Sequence, residues 1–373
     1  MSVPLVSIIM PIRNEREWID AALDAALNQD LGTPFEVLVA DGMSTDGTRD
    51  AIQTRASRDP RVRLIDNERR STSCGLDVAL ASARGRYFVR LDGHMIAPAD
   101  FTRRLVEHLQ RGECEGAGGI KRAIGIRPFG EAVAAAFGSP FGIGNARHHY
   151  LSRPGPIDHV SPGAYVTERA RAIGGFAEDL VRNQDYDFDY RYALAGGRII
   201  LDPSIVIDWH VRETPGALAQ QCAQYGFWKY VVLRRHPDSL KIRWLVPPAL
   251  VASIVIGGAT AIWLPGRLFL YATATSYAVV VAIGTTLLAR RTKARRAPLI
   301  ALALATIHIS WGAGFLAAAA VDIGRFGRRA VRRLLRPVRI PTHRPDPALT
   351  RSGATSASGQ IHSGLDSDPC PGP

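Results

Sequence analysis

The spacing of hydrophobic positions changes twice along the chain. From residue 1 to about 243, short β-branched runs alternate with stretches of helical apolar spacing, the pattern of a mostly parallel sheet covered by helices. Val6 to Met10 reads as a first strand and Glu36 to Ala40 as a second, with a helix from Glu15 to Gln29 between them. Arg86 to Leu91 reads as a later strand, and Ile199 to Leu201 with Ile205 to Ile207 as two more. Beyond Trp244 the pattern becomes continuously apolar. Leu245 to Leu264, Leu268 to Ala289 and Pro298 to Val321 contain no Asp, Glu, Lys or Arg, and each reaches the roughly 20 residues that cross a hydrocarbon core. Three such stretches separated by short Arg-rich loops are not the buried helices of a soluble core.

A third pattern follows. Residues 322–340 carry seven arginines, with Ile323, Phe326, Val331, Leu334, Leu335 and Val338 spaced to share one helical face. This predicts a basic amphipathic segment on an anionic membrane surface. Residues 341–373, rich in Pro, Ser, Gly and Thr, read as a disordered tail. The expected organisation is therefore a nucleotide-binding α/β domain over 1–243, a membrane part with two or three spans over 244–321, the basic segment and the tail.

Charge sharpens this picture. Up to Arg243 there are 31 Lys+Arg against 30 Asp+Glu, and from Trp244 onward 15 against 4, so the net +12 belongs to the C-terminal third. A nucleic-acid-binding protein carries its excess on the domain that grips phosphate, so no nucleic-acid partner is expected. The start, MSVPLVSIIMPIRNE, lacks the features of a secretory signal, and Cys74, Cys114, Cys222 and Cys370 form no CxxC pair. Both agree with a first domain facing the cytoplasm from the inner (plasma) membrane. The basic stretches Lys229 to Arg243 and Arg290 to Arg296 both belong on the cytoplasmic side. A third full crossing would then export the arginines of 325–339, so the third stretch is either interfacial or re-entrant, or it breaks the rule.

Candidate chemistry lies at strand ends. The first strand runs into Pro11, Asn14 and Glu15, the second into Asp41-Gly42-Met43-Ser44-Thr45-Asp46-Gly47-Thr48, and RYFVRL ends in Asp92-Gly93-His94. Open α/β sheets bind ligands at such ends. An acid there can hold a ribose or base edge, and an Asp and His one residue apart can face a divalent cation on a diphosphate. Each pattern taken alone is also a common turn or helix cap. Asp185, in Arg182-Asn183-Gln184-Asp185-Tyr186-Asp187, reads either as a helix-start acid favoured by the dipole or as a general base.

In this order and spacing, VSIIMPIRNE, VLVADGMSTDGT, GRYFVRLDGH, the segment from IGGFAEDLVRNQDYDF to GGRIILDP, and QYGFW resemble the inverting glycosyltransferases of family two with the GT-A fold. The likeness covers roughly residues 5 to 232 and is strongest to the succinoglycan-biosynthesis type, in which membrane helices follow the catalytic domain. It implies a nucleotide-sugar donor, in the usual case a UDP-sugar, a Mg or Mn ion on its diphosphate, and attack by an acceptor hydroxyl with inversion. Carried over residue by residue, Pro11, Asn14, Glu15 and Asp41 would hold the nucleoside, and Asp92 both ribose and metal. His94 and His210 would be further metal ligands, Asp185 the base, and Gln224 and Trp228 would face the acceptor. Three departures stand out: Gln184 replaces the Glu before the base, Asp77 stands where relatives have Asn, and QYGFW lacks the Arg of processive synthases.

The resulting expectation is an enzyme that adds one sugar to a lipid-linked saccharide in polysaccharide or glycolipid biosynthesis. Tethering at the bilayer surface would concentrate it with such an acceptor. Its rivals are a synthase that loads polyprenyl phosphate itself, and a non-catalytic nucleotide-sugar-binding membrane scaffold.

Overall fold

The computed structural model describes residues 3–93, 95–144, 153–291 and 296–334, with side chains described as far as Ile323. Four strands, β1 (Val6–Ile12), β2 (Phe35–Asp41), β3 (Val62–Asp66) and β4 (Tyr87–Arg90), run parallel in the order β3-β2-β1-β4. Their apolar residues alternate between two covered faces. Ile8, Met10, Val37 and Val39 pack with α1 (Ile19–Leu27), α2 (Thr48–Arg58) and α4 (Phe101–Gln110), while Ile9, Leu38 and Ala40 pack with α3 (Thr72–Ser82) on the opposite side. That two-sided burial is why these strands read as continuous apolar runs.

The sheet continues through β7 (Gly163–Val166), antiparallel between β4 and β5 (Gly116–Ile124), then β8 (Ile199–His210), parallel to β5, and ends at β6 (Gly155–Pro156). The two short strands expected over 199–207 are one. Pro203 has no N–H to give a ladder, and the pairing steps over it, from Gly119 opposite Asp202 to Ile120 opposite Val206. Gly119 is needed there, since a Cβ would fall 2.3 Å from the Ile205 carbonyl oxygen. The other helices of this body are α5 (Pro128–Phe137), α6 (Pro140–Ile143), α7 (Thr167–Ala172), α8 (Gln184–Leu194) and α9 (Pro215–Arg235).

Three helices long and apolar enough to cross a membrane follow: α10 (Val246–Ala259), α11 (Leu264–Arg291) and α12 (Ala297–Leu334). The first apolar stretch is shorter than the sequence suggests, because the chain turns at Thr260 to Trp263 and Leu264 already begins α11. Ile300, Ala303, Leu304 and Ile307 of α12 are buried with Phe129, Val133 and Ala136 of α5 and Leu218 of α9. Each Leu or Ile buried in this way contributes roughly 1.5–3 kcal/mol relative to exposure. The side chains of the basic segment beyond Ile323, and the tail, lie outside the described residues.

Candidate active site

The expected donor residues gather at the C-terminal ends of β1 and β2. Asn14, with φ of 55°, donates its N–H to Ser44 Oγ at 2.8 Å, and its Oδ1 accepts the Thr45 N–H at 3.0 Å. The Glu15 N–H donates to Thr48 Oγ1 at 2.9 Å. Pro11 pairs with Ala40 inside the ladder. Asp41 is fully buried and accepts from the Ser44 N–H and hydroxyl and from Arg49 at 3.1 Å. It therefore shapes the turn.

The β4 end is pressed against this region. A Cβ on Gly93 would lie 2.4 Å from Ile12 Cδ1 and 3.3 Å from Glu15 Cγ, so a side chain there would have to push the Ile12 side chain aside. Arg90 Nε donates to Asp92 Oδ1 at 2.8 Å.

A cavity of about 970 Å³ opens beside Asp92. Its walls include Arg90, Asp92, Lys121, His159, Gln184 and Asp185. It continues past Arg182, Arg212, Lys229 and Arg243 to apolar residues of the C-terminal helices, including Leu250, Phe269, Ala272 and Val280. Among Lys, Arg, Asp and Glu, its walls carry six basic side chains, four of them arginines, against two acids, which suits an anionic ligand. Three buried polar atoms in those walls, Arg90 Nη1, Gln184 Oε1 and Gln221 Oε1, have no hydrogen-bond partner. Such atoms are rare in native interiors and mark a place completed by water or ligand.

Asp185 occupies the first turn of α8 and accepts the Tyr186 N–H at 2.8 Å. Burial pushes its carboxyl up, but His159, Arg90, the Tyr186 N–H and Lys121 together outweigh burial and bring it down to about 2. Burial would lower the His159 imidazole, yet Asp185 and Asp189 raise it. Burial pushes Lys229 down to about 7. Its Nζ lies 3.5 Å from the Tyr186 ring centroid and 4.5 Å from that of Trp244.

Two sequence expectations land elsewhere. Gln221, Cys222, Tyr225 and Lys229 form the face of α9 that lines the cavity, whereas Gln224 and Trp228 do not line it. Helical periodicity turns them away, and Trp228 packs with Leu180, Tyr186 and Val232. His210 ends β8 with its ring 6.4 Å from Trp18, at the donor rim outside the cavity. His94 lies outside the described residues. Lys121, His159 and Lys229 were not legible as site residues. Arg90 alone left a trace, a charge inside a buried strand two residues before Asp92.

Among the described residues no three His, Cys, Asp or Glu groups cluster to hold a metal. Asp92 nevertheless fits a Mg- or Mn-nucleotide, since hard cations of this kind bind through one or two carboxylates plus substrate phosphates.

The family model described as glycosyl transferase family 2 matches residues 7–163, from β1 to the start of β7. The chain is 30% identical to the succinoglycan biosynthesis protein ExoA of Rhizobium meliloti, over 83% of this chain and 93% of that protein. It is 26% identical to a dolichyl N-acetyl-alpha-D-glucosaminyl phosphate 3-beta-D-2,3-diacetamido-2,3-dideoxy-beta-D-glucuronosyltransferase of Methanococcus voltae, over 68% and 82%. A mannosyltransferase of Pyrobaculum calidifontis, solved with GDP-Man and Mn2+, superposes with a TM-score of 0.55 at 22% identity, covering 86% of this chain and 88% of that one. That likeness concerns the fold, and the expected GT-A architecture is the one observed.

Proposed function

The chain belongs to glycosyl transferase family 2, and on that premise we propose that it is an inverting, metal-dependent enzyme that adds one sugar to a hydroxyl of a lipid-linked saccharide. The observation that carries this reading is the cavity, in which Asp92 and Asp185 share walls with a cationic zone and with apolar faces of α10 and α11. A saccharide on a phosphate-linked lipid matches that sequence of surfaces: sugar at the carboxylates, phosphate at the arginines, chain among the apolar helices. The Methanococcus relative, whose name gives a lipid-phosphate sugar as its acceptor, supports the same substrate class.

In this mechanism Asp185 takes the proton of the acceptor hydroxyl, whose oxygen forms a bond to the anomeric carbon as the bond to the nucleoside diphosphate breaks. A Mg or Mn ion, when bound, would supply positive charge to the leaving diphosphate and would be held by Asp92, with His94 as the further ligand the family resemblance implies. Arg90 holds the Asp92 carboxylate in place and offers Nη1 to the ligand. Residues 1–243 would be the catalytic part, seated on the cytoplasmic face of the plasma membrane.

The test incubates membranes holding the intact protein or Asp185→Asn with radiolabelled nucleotide sugars and Mg or Mn, and scores label in the lipid extract. Labelling by one donor, reduced about 10²–10⁴-fold in the variant, is expected. Equal labelling by the variant would favour direct loading of polyprenyl phosphate, which needs no acceptor hydroxyl. Absence of labelling by folded protein with lipid acceptors supplied would favour a nucleotide-sugar-binding scaffold.

A further inference from the structure

α12 stays beside α9 for most of its described length. Ile300, Ala303 and Leu304 pack with Leu218 and Cys222 near the start of α9. Farther along, a Cβ on Gly314 would lie 2.0 Å from the Ala223 carbonyl oxygen, and one on Gly226 would lie 1.9 Å from that of Trp311. At the other end Asp322 accepts the Tyr230 hydroxyl at 3.0 Å and meets Arg234 Nε at 3.0 Å. The partners advance together, so the two helices run side by side in one direction over about 24 Å of α9, from Leu218 to Arg234.

Both ends of α9 are bound to the catalytic body. Glu213, just ahead of it, accepts the N–H groups of Ile126 and Arg127, and its last residue, Arg235, pairs with Asp179. α9 also carries Gln220, Gln224, Lys229 and Arg234, and a Lys or Arg at the bilayer centre costs about 2.5–3.5 kcal/mol. A helix that crosses a membrane must leave such a body within a few turns, and α12 does not.

We propose that α12 lies along the headgroup region of one leaflet and that only the α10–α11 hairpin crosses the bilayer. The surface α12 offers to lipid is the exposed stripe Leu302, Ile309, Ala313, Ala317 and Ala320, spaced to share one helical face. Ile242–Ala259 and Leu264–Arg291 are each long and apolar enough to cross. α11 runs about 20 Å from Leu264 before Tyr277 meets His308 of α12 at 3.2 Å, and about 30 Å before Gly284 meets Phe141 of α6. The hairpin turn exposes Ile262 and Trp263, 78% and 61%, beside Arg267, residue types that anchor at a headgroup boundary. The chain then leaves Asp322 on the catalytic side, so the arginines that follow obey the positive-inside rule that three crossings would break.

The test labels the full-length protein in intact cells and in inverted vesicles with a membrane-impermeant polyethylene-glycol maleimide, with denatured samples defining full reactivity. Native Cys74, Cys114 and Cys222 are buried, so native Cys370 reports the tail. Gln53→Cys on exposed α2 and Ile262→Cys at the hairpin turn, each in a Cys370→Ser background, report the body and the turn. Cys370 and Gln53→Cys are expected to react from one face of the membrane and Ile262→Cys from the other. Labelling of Cys370 together with Ile262→Cys would mean that α12 crosses. Labelling of Ile262→Cys together with Gln53→Cys, or from neither face, would mean that the hairpin does not. Either result overturns the proposal, and neither depends on whether the protein transfers a sugar.

Discussion

His159 Nε2 lies 3.9 Å from Asp185 Oδ2, while its Nδ1 is 2.8 Å from Asp189 Oδ2. One imidazole thus links the carboxylate proposed as base to a second, fully buried carboxylate on the same helix, α8. Asp189 in turn accepts the Val160 N–H and the Tyr165 hydroxyl, which fixes the ring in place. Position and charge are both imposed on Asp185 from the loop ahead of β7.

The first prediction follows from that charge. With its carboxyl brought down to about 2, Asp185 is ionised throughout ordinary assay conditions, so it adds no acid limb near neutrality. Replacing His159 by Gln removes the foremost of the charges that lower the carboxyl, and its pKa moves up. The acid limb of kcat/KM is therefore expected at higher pH in the variant, with donor KM unchanged. Superimposable profiles would separate His159 from the base. The same depression makes Asp185 a source of stability that is present above the ordinary carboxylate pKa and lost as pH falls toward 2.

Lys229 gives a prediction of opposite sense. Its ammonium is pushed from 10.5 to about 7 in the folded state. Between these values the unfolded chain holds the proton and the folded chain does not, so stability should rise with pH across that window. Contact with the Tyr186 and Trp244 rings opposes the shift, and desolvated cation–π pairs reach about 2 kcal/mol. Thermal unfolding of the detergent-solubilised protein from pH 7 to 9 is expected to show a positive slope that flattens in Lys229→Met. An identical slope would mean that the rings keep the ammonium charged.

Asp77 stands where the family resemblance would place Asn. Its Oδ1 accepts the Phe176 N–H at 2.6 Å, and burial raises its carboxyl. Asn can keep that bond through its own carbonyl oxygen while removing a charge the site disfavours. Asp77→Asn is expected to raise the Tm at pH 7 and narrow its advantage as the native carboxyl protonates at lower pH, with activity retained. A lowered Tm at pH 7 would show that the charge is used, with Arg69 or Arg191 nearby as the groups that use it.

What the sequence made legible was local. β1, β2 and β4 were visible because covered strands of a parallel sheet are continuous apolar runs, and Asp41, Asp92 and Asp185 because they sit at motif positions near element starts and ends. β7 was hidden by its length, Gly163–Val166, and by a register set from β4 and β5 rather than by its own pattern. His159 could not be found because what gives it meaning, Asp185 and Asp189, lies 26 and 30 residues away. Lys121 and Lys229 meet only when β5 and α9 line one cavity. Gln224 and Trp228 fall one helical step from the cavity face that Gln221 and Tyr225 share, a difference the spacing alone does not carry.

The last prediction concerns the contact between α9 and α12. A Cβ on Gly226 would fall 1.9 Å from the Trp311 carbonyl oxygen and 3.0 Å from the Phe315 backbone nitrogen, and backbone cannot rotate aside as a side chain can. Gly226→Ala should therefore push α12 off α9 and destabilise by about 1–3 kcal/mol, the usual cost of overpacking. Gly216, in the first turn of the same helix, meets nothing within 4 Å, and alanine there should stabilise by roughly 0.5–1 kcal/mol through the entropy that glycine loses on folding. Thermal unfolding of the two variants in one detergent separates close packing from intrinsic propensity, because the substitution and the helix are the same in both. Equal shifts would mean that α12 is not seated on α9 at Gly226, and the membrane seat proposed for α12 would lose its anchor with it.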